Sequence, residues 1–347
     1  MVSISVVVPI YNIQRDILTK CVKSLLNQTF YDIEIILIND GSTNDALGVC
    51  NQLKKADPRV LVIDQVNQGV SVARNAGIDA ATGSWIAFVD PDDWLEKTYL
   101  EAMWNQVSCG ADIIMCNCNV HTGDLIIGND FLPYKDIEII YDKNIILSQL
   151  ISKVLGGYYP KVIAAGVPWA KLFKRSFILE NDLRFVPKMV RMQDNIFCLY
   201  AINAASSICF IPERNYNYRK ENEASVSFRY NENIFEYFEK YFFEVDQFIK
   251  KKLNNNIYFT NALHAKIITS INSFFLYYYF NKDNNKKWSE NKKHLCDLLK
   301  REPYSTAMRK INNKYLSKEE KLFVAILKLR SINLMRLVYF AKKRSMK

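Results

Sequence analysis

Residues 84–95 read SWIAFVDPDDWL, from Ser84 to Leu95. The apolar run Trp85 to Val89 predicts a short buried strand. It ends on three carboxylates in four residues, Asp90, Asp92 and Asp93, with Pro91 between the first two. Like charges gathered at a strand end raise one another's pKa unless positive charge sits among them. A divalent cation is the simplest such partner. Mg2+ and Mn2+ are held by one or two carboxylates and completed by phosphate oxygens. The same residues also read as a solvated acidic turn capping a helix that begins near Glu96.

Upstream, strands and helices alternate. Ile4 to Val8 is a β-branched run, with Pro9 expected to stop its ladder. Ile17, Leu18, Cys21, Val22, Leu25 and Leu26 fall on one helix face. Ile33 to Ile38 predicts a second strand, ending in Asn39-Asp40-Gly41-Ser42. A helix over Asp45 to Lys55, capped by Asn44 or Thr43, leads to a third strand at Val60 to Ile63. A further helix spans Val70 to Ala81. Such alternation with short connections predicts an α/β fold with a parallel sheet covered on both faces. Ligands sit at the carboxyl ends of such strands. The polar candidates fall there: Pro9 to Asn12, Asn39-Asp40 and Asp90 to Asp93. Tyr11 offers a ring on which a base can stack. Asp40 offers a carboxylate to a base or ribose donor. Arg74, on the helix after Gly69, offers a guanidinium to phosphate oxygens. Each has an ordinary alternative, as packing, turn residue or surface charge. A dehydrogenase would need a Gly-rich turn after the first strand; here that turn is PIYN.

The chain has 347 residues, enough for one large domain or two ordinary ones. Its composition, 49% apolar and 24% charged, excludes a disordered chain. The eight cysteines form no CxxC pair and read as reduced, mostly buried thiols of a reducing compartment. MVSISVVVPIYN lacks the basic start and cleavage site of a signal peptide, and none is expected. No uninterrupted apolar run reaches ~18 residues, so no membrane span is expected. Residues 1–110 carry eight Lys/Arg against thirteen Asp/Glu, a net of −5, so the remainder carries +15 of the total +10. That asymmetry points to an anionic partner for the back part.

VVVPIYN, then ILINDGSTND, then GVSVARNAGIDAATGSWIAFVDPDDWL, in this order and spacing, resembles the N-terminal half of family 2 glycosyltransferases. The match is dense over about residues 3–105 and thin to about 230. The resemblance implies a GT-A fold, a Rossmann-like domain that binds a nucleotide-diphosphate sugar. It implies a nucleotide-sugar-binding half at residues 1–105, an acceptor-binding half at 106–228 and a helical C-terminal region at 229–347. Pro9, Tyr11 and Asp40 would line the uracil and ribose pocket. Where family members often have two aspartates before Gly-Ser, this chain has Asn39 and Asp40. Arg74 would approach the diphosphate. Asp92 would ligate Mn2+ or Mg2+, with Asp90 nearer the ribose and Asp93 on the acceptor side or supporting the pair. In MVRMQDNIFCLYAINAA a helix is expected to begin near Asp194, which would be the general base, with Gln193 where the family often has Glu. A helix cap is the plain alternative for Asp194. Trp169 and Lys171, in GVPWAKLFKRSFI, would lie near the acceptor. Arg219 and Ser225, in NYNYRKENEASVS, would reach the diphosphate. His121 and His264 have no partners at ligand spacing.

From about Asn231 the pattern turns helical, with Phe235, Phe238, Tyr241, Phe242 and Val245 at helix spacing. Ile257 to Phe280 is aromatic but interrupted by His264, Lys266 and Asn272. Asn281 to Lys293 reads as a polar loop leading into a helix. After Glu320 come eight basic residues and no acidic one: Lys321, Lys328, Arg330, Arg336, Lys342, Lys343, Arg344 and Lys347. Such a tail can lie on an anionic membrane surface or pack on the body with a solvated basic face. No nucleic-acid motif accompanies it. The expectation is therefore an inverting, metal-dependent transferase. It moves a hexose from a UDP-sugar to a lipid-linked or oligosaccharide acceptor, in the cytoplasm at the inner face of the membrane. A non-catalytic membrane-surface adaptor of the same fold and, less favoured, a nucleotide-cofactor dehydrogenase are the alternatives.

Overall fold

β-Branched residues crowd Ile4–Ile10, and this segment is strand β1, buried along its whole length. Around it, a computed structural model describes residues 2–152, 158–220, 230–329 and 333–336. The chain divides into two units, residues 1–150 with 158–222, and residues 151–157 with 223–347.

In the first unit β1 is followed by α1 (Arg15–Leu26), β2 (Ile33–Asp40), α2 (Ala46–Ala56), β3 (Val60–Gln65), α3 (Val70–Ala80) and β4 (Trp85–Phe88). Then come β5 (Trp94–Leu95), α4 (Tyr99–Trp104), β6 (Ile113–Thr122), β7 (Leu125–Asn129), β8 (Glu138–Ile140) and α5 (Asn144–Ile151). β9 (Lys171–Lys174), α6 (Arg175–Glu180), α7 (Gln193–Ala204) and β10 (Ile208–Arg219) complete it. The sheet runs β3-β2-β1-β4-β9-β6-β10-β5, with β7 on β6 and β8 on β10. β2, β1, β3 and β4 are mutually parallel. β9 is antiparallel to both β4 and β6, so β6 and its parallel neighbour β10 run the same way as the first four. All six of these strands therefore end at one edge. The sheet also continues unbroken across residue 105, through β9.

The alternation expected for the front holds, with two changes. The ladder does not stop at Pro9, which pairs with Ile38. Val89 N donates to Val7 O, so Val7 faces β4, and two residues later Pro9 faces the same side. β4's register ends at Val7, so the N–H that proline lacks has no strand to bond. The second change follows the acidic loop. Trp94 and Leu95 form β5, and the helix starts at Tyr99 rather than near Glu96.

The apolar faces behave as their spacing predicts. α1 buries Leu18, Cys21, Val22 and Leu25. α7 rests Phe197 on Phe88 of β4, Phe173 of β9 and Phe185, at centroid distances of 5.8, 5.5 and 4.1 Å. That packing carries the start of α7 to the end of β4. All eight cysteines are free, six of them buried.

The second unit is helical: α8 (Ile234–Lys252), α9 (Ile257–Thr269), α10 (Ile271–Phe274), a π-helical turn Phe275–Tyr279, α11 (Trp288–Leu298), α12 (Tyr304–Lys310) and α13 (Lys318–Lys328). The five residues at helix spacing from Phe235 to Val245 are all buried on α8. Phe235 meets Phe274, Tyr278 and His294 within 5.0 Å of ring centroid. Ser317 and Glu320 cap α13 reciprocally, at 3.2 and 2.8 Å. Among the described residues no helix is long and apolar enough to cross a membrane. Of the eight basic tail residues, Lys321, Lys328 and Arg336 are described; the other five lie outside the described residues.

α3 lies so close to the sheet that a Cβ on Gly77 would sit 2.3 Å from Val7 Cγ1 and 3.1 Å from Ile38 Cδ1. Gly77→Ala is therefore expected to destabilise the first unit by about 1–3 kcal/mol through overpacking, despite up to ~1 kcal/mol gained in helix propensity. Urea denaturation checks this; a variant as stable as the parent would show that α3 moves away freely.

Candidate active site

At the shared strand edge the loops after β1 and β2 are tied together first. Asn12, at φ +50°, accepts from Thr43 N at 2.7 Å, and its own N–H donates to Ser42 Oγ at 3.0 Å. Tyr11, between β1 and this latch, is 53% exposed, whereas Pro9 is buried within the strand. Gly41 adopts φ +67°, and a Cβ there would meet Asn67 N at 2.6 Å, so only glycine fits.

Asp40 is buried and accepts three hydrogen bonds: Gln65 Nε2 at 2.8 Å, Gln68 N at 2.9 Å and Gly69 N at 2.8 Å. Its carboxylate thereby fixes the turn that starts α3 and keeps acceptor capacity for one further donor. Asn39 stands opposite Asp64 in register and donates its amide to Asp64 Oδ1 at 2.6 Å. An aspartate at position 39 would set two carboxylates face to face, which explains the amide.

α3 then delivers Arg74. Its side chain is only 3% exposed, with the guanidinium carbon 5.1 Å from the Phe185 ring centroid. Nη2 donates to Asp90 Oδ1 at 2.7 Å and Nη1 to Asp194 Oδ1 at 2.5 Å. Nε has no hydrogen-bond partner. Burial works against the charge on Arg74, but the two carboxylates outweigh it and hold its pKa above the ordinary arginine value. Asp90 follows β4, and Asp194 is the second residue of α7. Met192, at φ +61°, turns the chain into that helix.

Asp194 is not the cap of α7, which is Met192; its side chain is 26% exposed, and it faces both Arg74 and the charge of Asp90. Burial raises its pKa most, Arg74 opposes this, and Asp90 adds to the rise. The net effect is a carboxylate more basic than an ordinary aspartate.

Asp93 is 1% exposed, which rules out a solvated acidic turn. It accepts from Tyr216 Oη at 2.6 Å and from Arg219 N at 2.7 Å. Burial raises its pKa well above the carboxylate range, and the charges of Asp92 and Asp90 add to this. Asp92 is half-buried, and its carbonyl accepts from Arg219 Nε at 3.0 Å. Asp90, Asp92 and Asp93 thus bring three carboxyl groups together within four residues of the chain. That fits a cation shared by Asp90 and Asp92 and completed by ligand oxygens. Among the described residues no three His, Cys, Asp or Glu side chains converge as a ready-made metal site.

Two expected acceptor-side residues are interior. Trp169 is 1% exposed and stacks on Tyr216 and Tyr218 at centroid distances of 4.6 and 5.2 Å. Lys171 is fully buried, donates from Nζ to Val167 O at 2.7 Å and lies 5.1 Å from the Phe131 ring. Both sit at or beside β9, a central strand covered on both faces, so neither reaches a ligand. Asp93 is likewise a buried support rather than an exposed contact. Ser225 lies outside the described residues. Tyr216 and Tyr218 were not singled out from the sequence. The alternation NYNYR was the available signal, since it places both tyrosines on one face of a strand. Tyr218 is half-buried, and the charges of Asp93, Asp90 and Asp92 raise its phenol, after burial.

Comparison with known proteins is consistent with this geometry. Residues 5–149 match the model described as Glycosyl transferase family 2. The chain is 33% identical to EpsH of Bacillus subtilis (strain 168) over 240 residues, 67% of this chain and 65% of that protein. It is 33% identical over 221 residues to Glycosyltransferase GlyG of Streptococcus pneumoniae serotype 4 (strain ATCC BAA-334 / TIGR4), 63% of this chain and 71% of that one. The chain thus spans about two thirds of the length of these relatives. The crystal structure of S. aureus TarS 1-349 in complex with UDP-GlcNAc has the same fold, with a TM-score of 0.65 at 17% identity over 99% of this chain and 92% of that one. With its Rossmann-like GT-A α/β domain and helical C-terminal part, the chain belongs to glycosyl transferase family 2.

Proposed function

We propose that the chain is an inverting, metal-dependent glycosyltransferase. It moves a hexose from a UDP-sugar to a hydroxyl of a lipid-linked or oligosaccharide acceptor during cell-surface polysaccharide synthesis. The observation that carries this reading is the Arg74 guanidinium, which joins Asp90 of the acidic loop to Asp194 of α7. In this reading Asp194 is the base, and Asp90 belongs to the carboxylates that serve the donor. A UDP-sugar donor also accords with the UDP-GlcNAc complex of TarS.

In this reading residues 1–105 bind the donor and residues 106–228 the acceptor. The exposed ring of Tyr11 stacks on uracil, with Pro9 fixing the strand beneath it. Asp40 uses its remaining acceptor capacity for the nucleoside. Arg74, Arg219 and Ser225 serve the diphosphate. Asp92 and Asp90 would hold Mn2+ or Mg2+, which when bound would neutralise the charge of the departing diphosphate. Asp194 takes the proton of the acceptor hydroxyl as that oxygen forms its bond to the anomeric carbon. The bond to the diphosphate breaks on the opposite face and its electron pair leaves with UDP, so the configuration inverts. Asp93, clamped by Tyr216 and the Arg219 amide, holds the acidic loop in shape. The basic tail keeps the protein on the anionic inner surface of the membrane.

Titration with a panel of UDP-sugars, with and without Mn2+, should raise the melting temperature for at least one sugar only when metal is present. Asp92→Ala should lose that metal-dependent gain, along with UDP release. An unaltered response in Asp92→Ala would favour a non-catalytic adaptor. Asp194→Asn should keep donor binding and lose transfer by about 10²–10⁴-fold, the worth of a general base. In the parent, activity needs the Asp194 carboxylate. It is full above the raised pKa and falls as pH drops through it, starting above the ordinary value of about 3.9. A pH profile flat down to that value would remove Asp194 from the mechanism. Removing residues 321–347 should abolish sedimentation with anionic vesicles; retention of binding would refute the tail's role.

A further inference from the structure

A groove of about 440 Å3 runs along the exposed side of α1. Lys20, Lys23, Ser24 and Asn27 line it with Trp94 of β5, and Asp16 is the single carboxylate in its lining. The proposed transfer chemistry uses none of these residues. The Lys20 ammonium lies 3.2 Å from the centroid of the Trp94 ring, and the Arg219 guanidinium carbon lies 5.4 Å from the same ring. Asp16 has the spacing for an i,i+4 pair with Lys20, yet among the described residues neither Lys20 nor Lys23 makes an ion pair with a carboxylate. An ammonium and a guanidinium therefore share one indole, and a second ammonium, that of Lys23, lines the same groove. Burial and the neighbouring Arg219 charge both lower the Lys20 pKa, the mark of a cation short of a counter-charge.

The groove is also fastened to the acidic cluster. Trp94 directly follows Asp93 in the chain. Leu95 N donates to Ser24 Oγ at 3.1 Å, and Cys21 Sγ donates to Asp90 O at 3.6 Å, so α1 and the acidic loop are one assembly. Arg219, whose amide holds Asp93, is the second cation at Trp94. The two sites have opposite signs. The acidic cluster attracts a cation-bridged donor and repels a bare anion, whereas the groove beside it attracts an oxyanion.

We infer that this groove binds the charged part of an oxyanion-bearing saccharide chain, carrying phosphate or carboxylate groups, whose neutral end extends to the acidic cluster as the acceptor. The cation–π contact holds Lys20 in place before the ligand arrives, which lowers the ordering cost of binding. The indole edge offers apolar surface to a sugar ring between charges. The role of acceptor rests on the glycosyl-transfer reading; oxyanion binding at the groove does not.

The test is calorimetric titration of the whole chain with three probes: a glycerol-phosphate oligomer, an oligogalacturonate and neutral maltohexaose. At least one anionic oligomer should bind, more weakly as salt rises, and maltohexaose should not. The phosphate and carboxylate arms separate the two sources of negative charge. Lys20→Gln with Lys23→Gln should lower the affinity at least ten-fold while leaving UDP-sugar binding and the melting temperature unchanged. Lys54→Gln with Lys55→Gln, on exposed positions of α2, should change nothing. Equal binding of maltohexaose, no binding of either anionic oligomer, an unaffected Lys20/Lys23 variant or an equal loss in the α2 variant would each overturn the inference. Failure of every UDP-sugar to bind, with anion binding intact, would instead sink the glycosyl-transfer reading and leave the groove standing.

Discussion

One guanidinium, buried under the aromatic rings of the first unit, has two carboxylates to satisfy, and they come from opposite ends of the fold. Arg74 meets Asp90 at the end of β4 and Asp194 at the start of α7, 120 residues further along. Neither pairing would exist alone at such burial. An isolated buried arginine costs several kcal/mol in lost hydration, and losing one partner of a buried pair costs about 3–5 kcal/mol. With both partners in place the guanidinium charge is compensated, and the helix that supplies Asp194 is bound to the strand edge. The stack of Phe185 on Phe197, with centroids 4.1 Å apart, supplies the apolar floor that keeps water from the guanidinium. Arg74 thus sets the position of the Asp194 carboxylate.

The rest of the acidic loop is held by an opposite device, in which a carboxyl is buried among neutral donors. Asp93 has Tyr216 and a backbone amide for company and no cation in contact. Its raised pKa reflects desolvation first and crowding by Asp92 and Asp90 second. Trp169 stabilises the arrangement from below by stacking on Tyr216, the residue whose hydroxyl holds Asp93. The tryptophan therefore acts on the site through one intermediary while remaining in the core.

A third constraint is the sign of charge along the edge. Asn39 in place of a second carboxylate pairs with Asp64, and three donors surround Asp40. Trp94 of the cationic groove directly follows the acidic loop Asp90 to Asp93.

Several of these features were legible in the chain. The pattern of apolar residues located β1 to β4 and α1 to α3 to within two residues, because short apolar runs bounded by turn residues alternate with longer segments of helical period. The same reasoning placed Tyr11, Asp40 and Asp90 at one edge, since parallel strands joined by helices must all end together. Ordinary local rules misjudged Pro9, because whether its missing N–H matters depends on how far the neighbouring strand β4 extends. Trp169 and Lys171 look like ligand contacts in sequence, but β9 threads antiparallel between β4 and β6 and carries them inside. Tertiary structure alone decided that Arg74 pairs with two carboxylates, that Asp93 is buried, and that Lys20 meets Trp94. These are contacts between residues up to 126 positions apart. A charge's partner is set by three-dimensional distance and local dielectric, and periodicity along the chain carries neither.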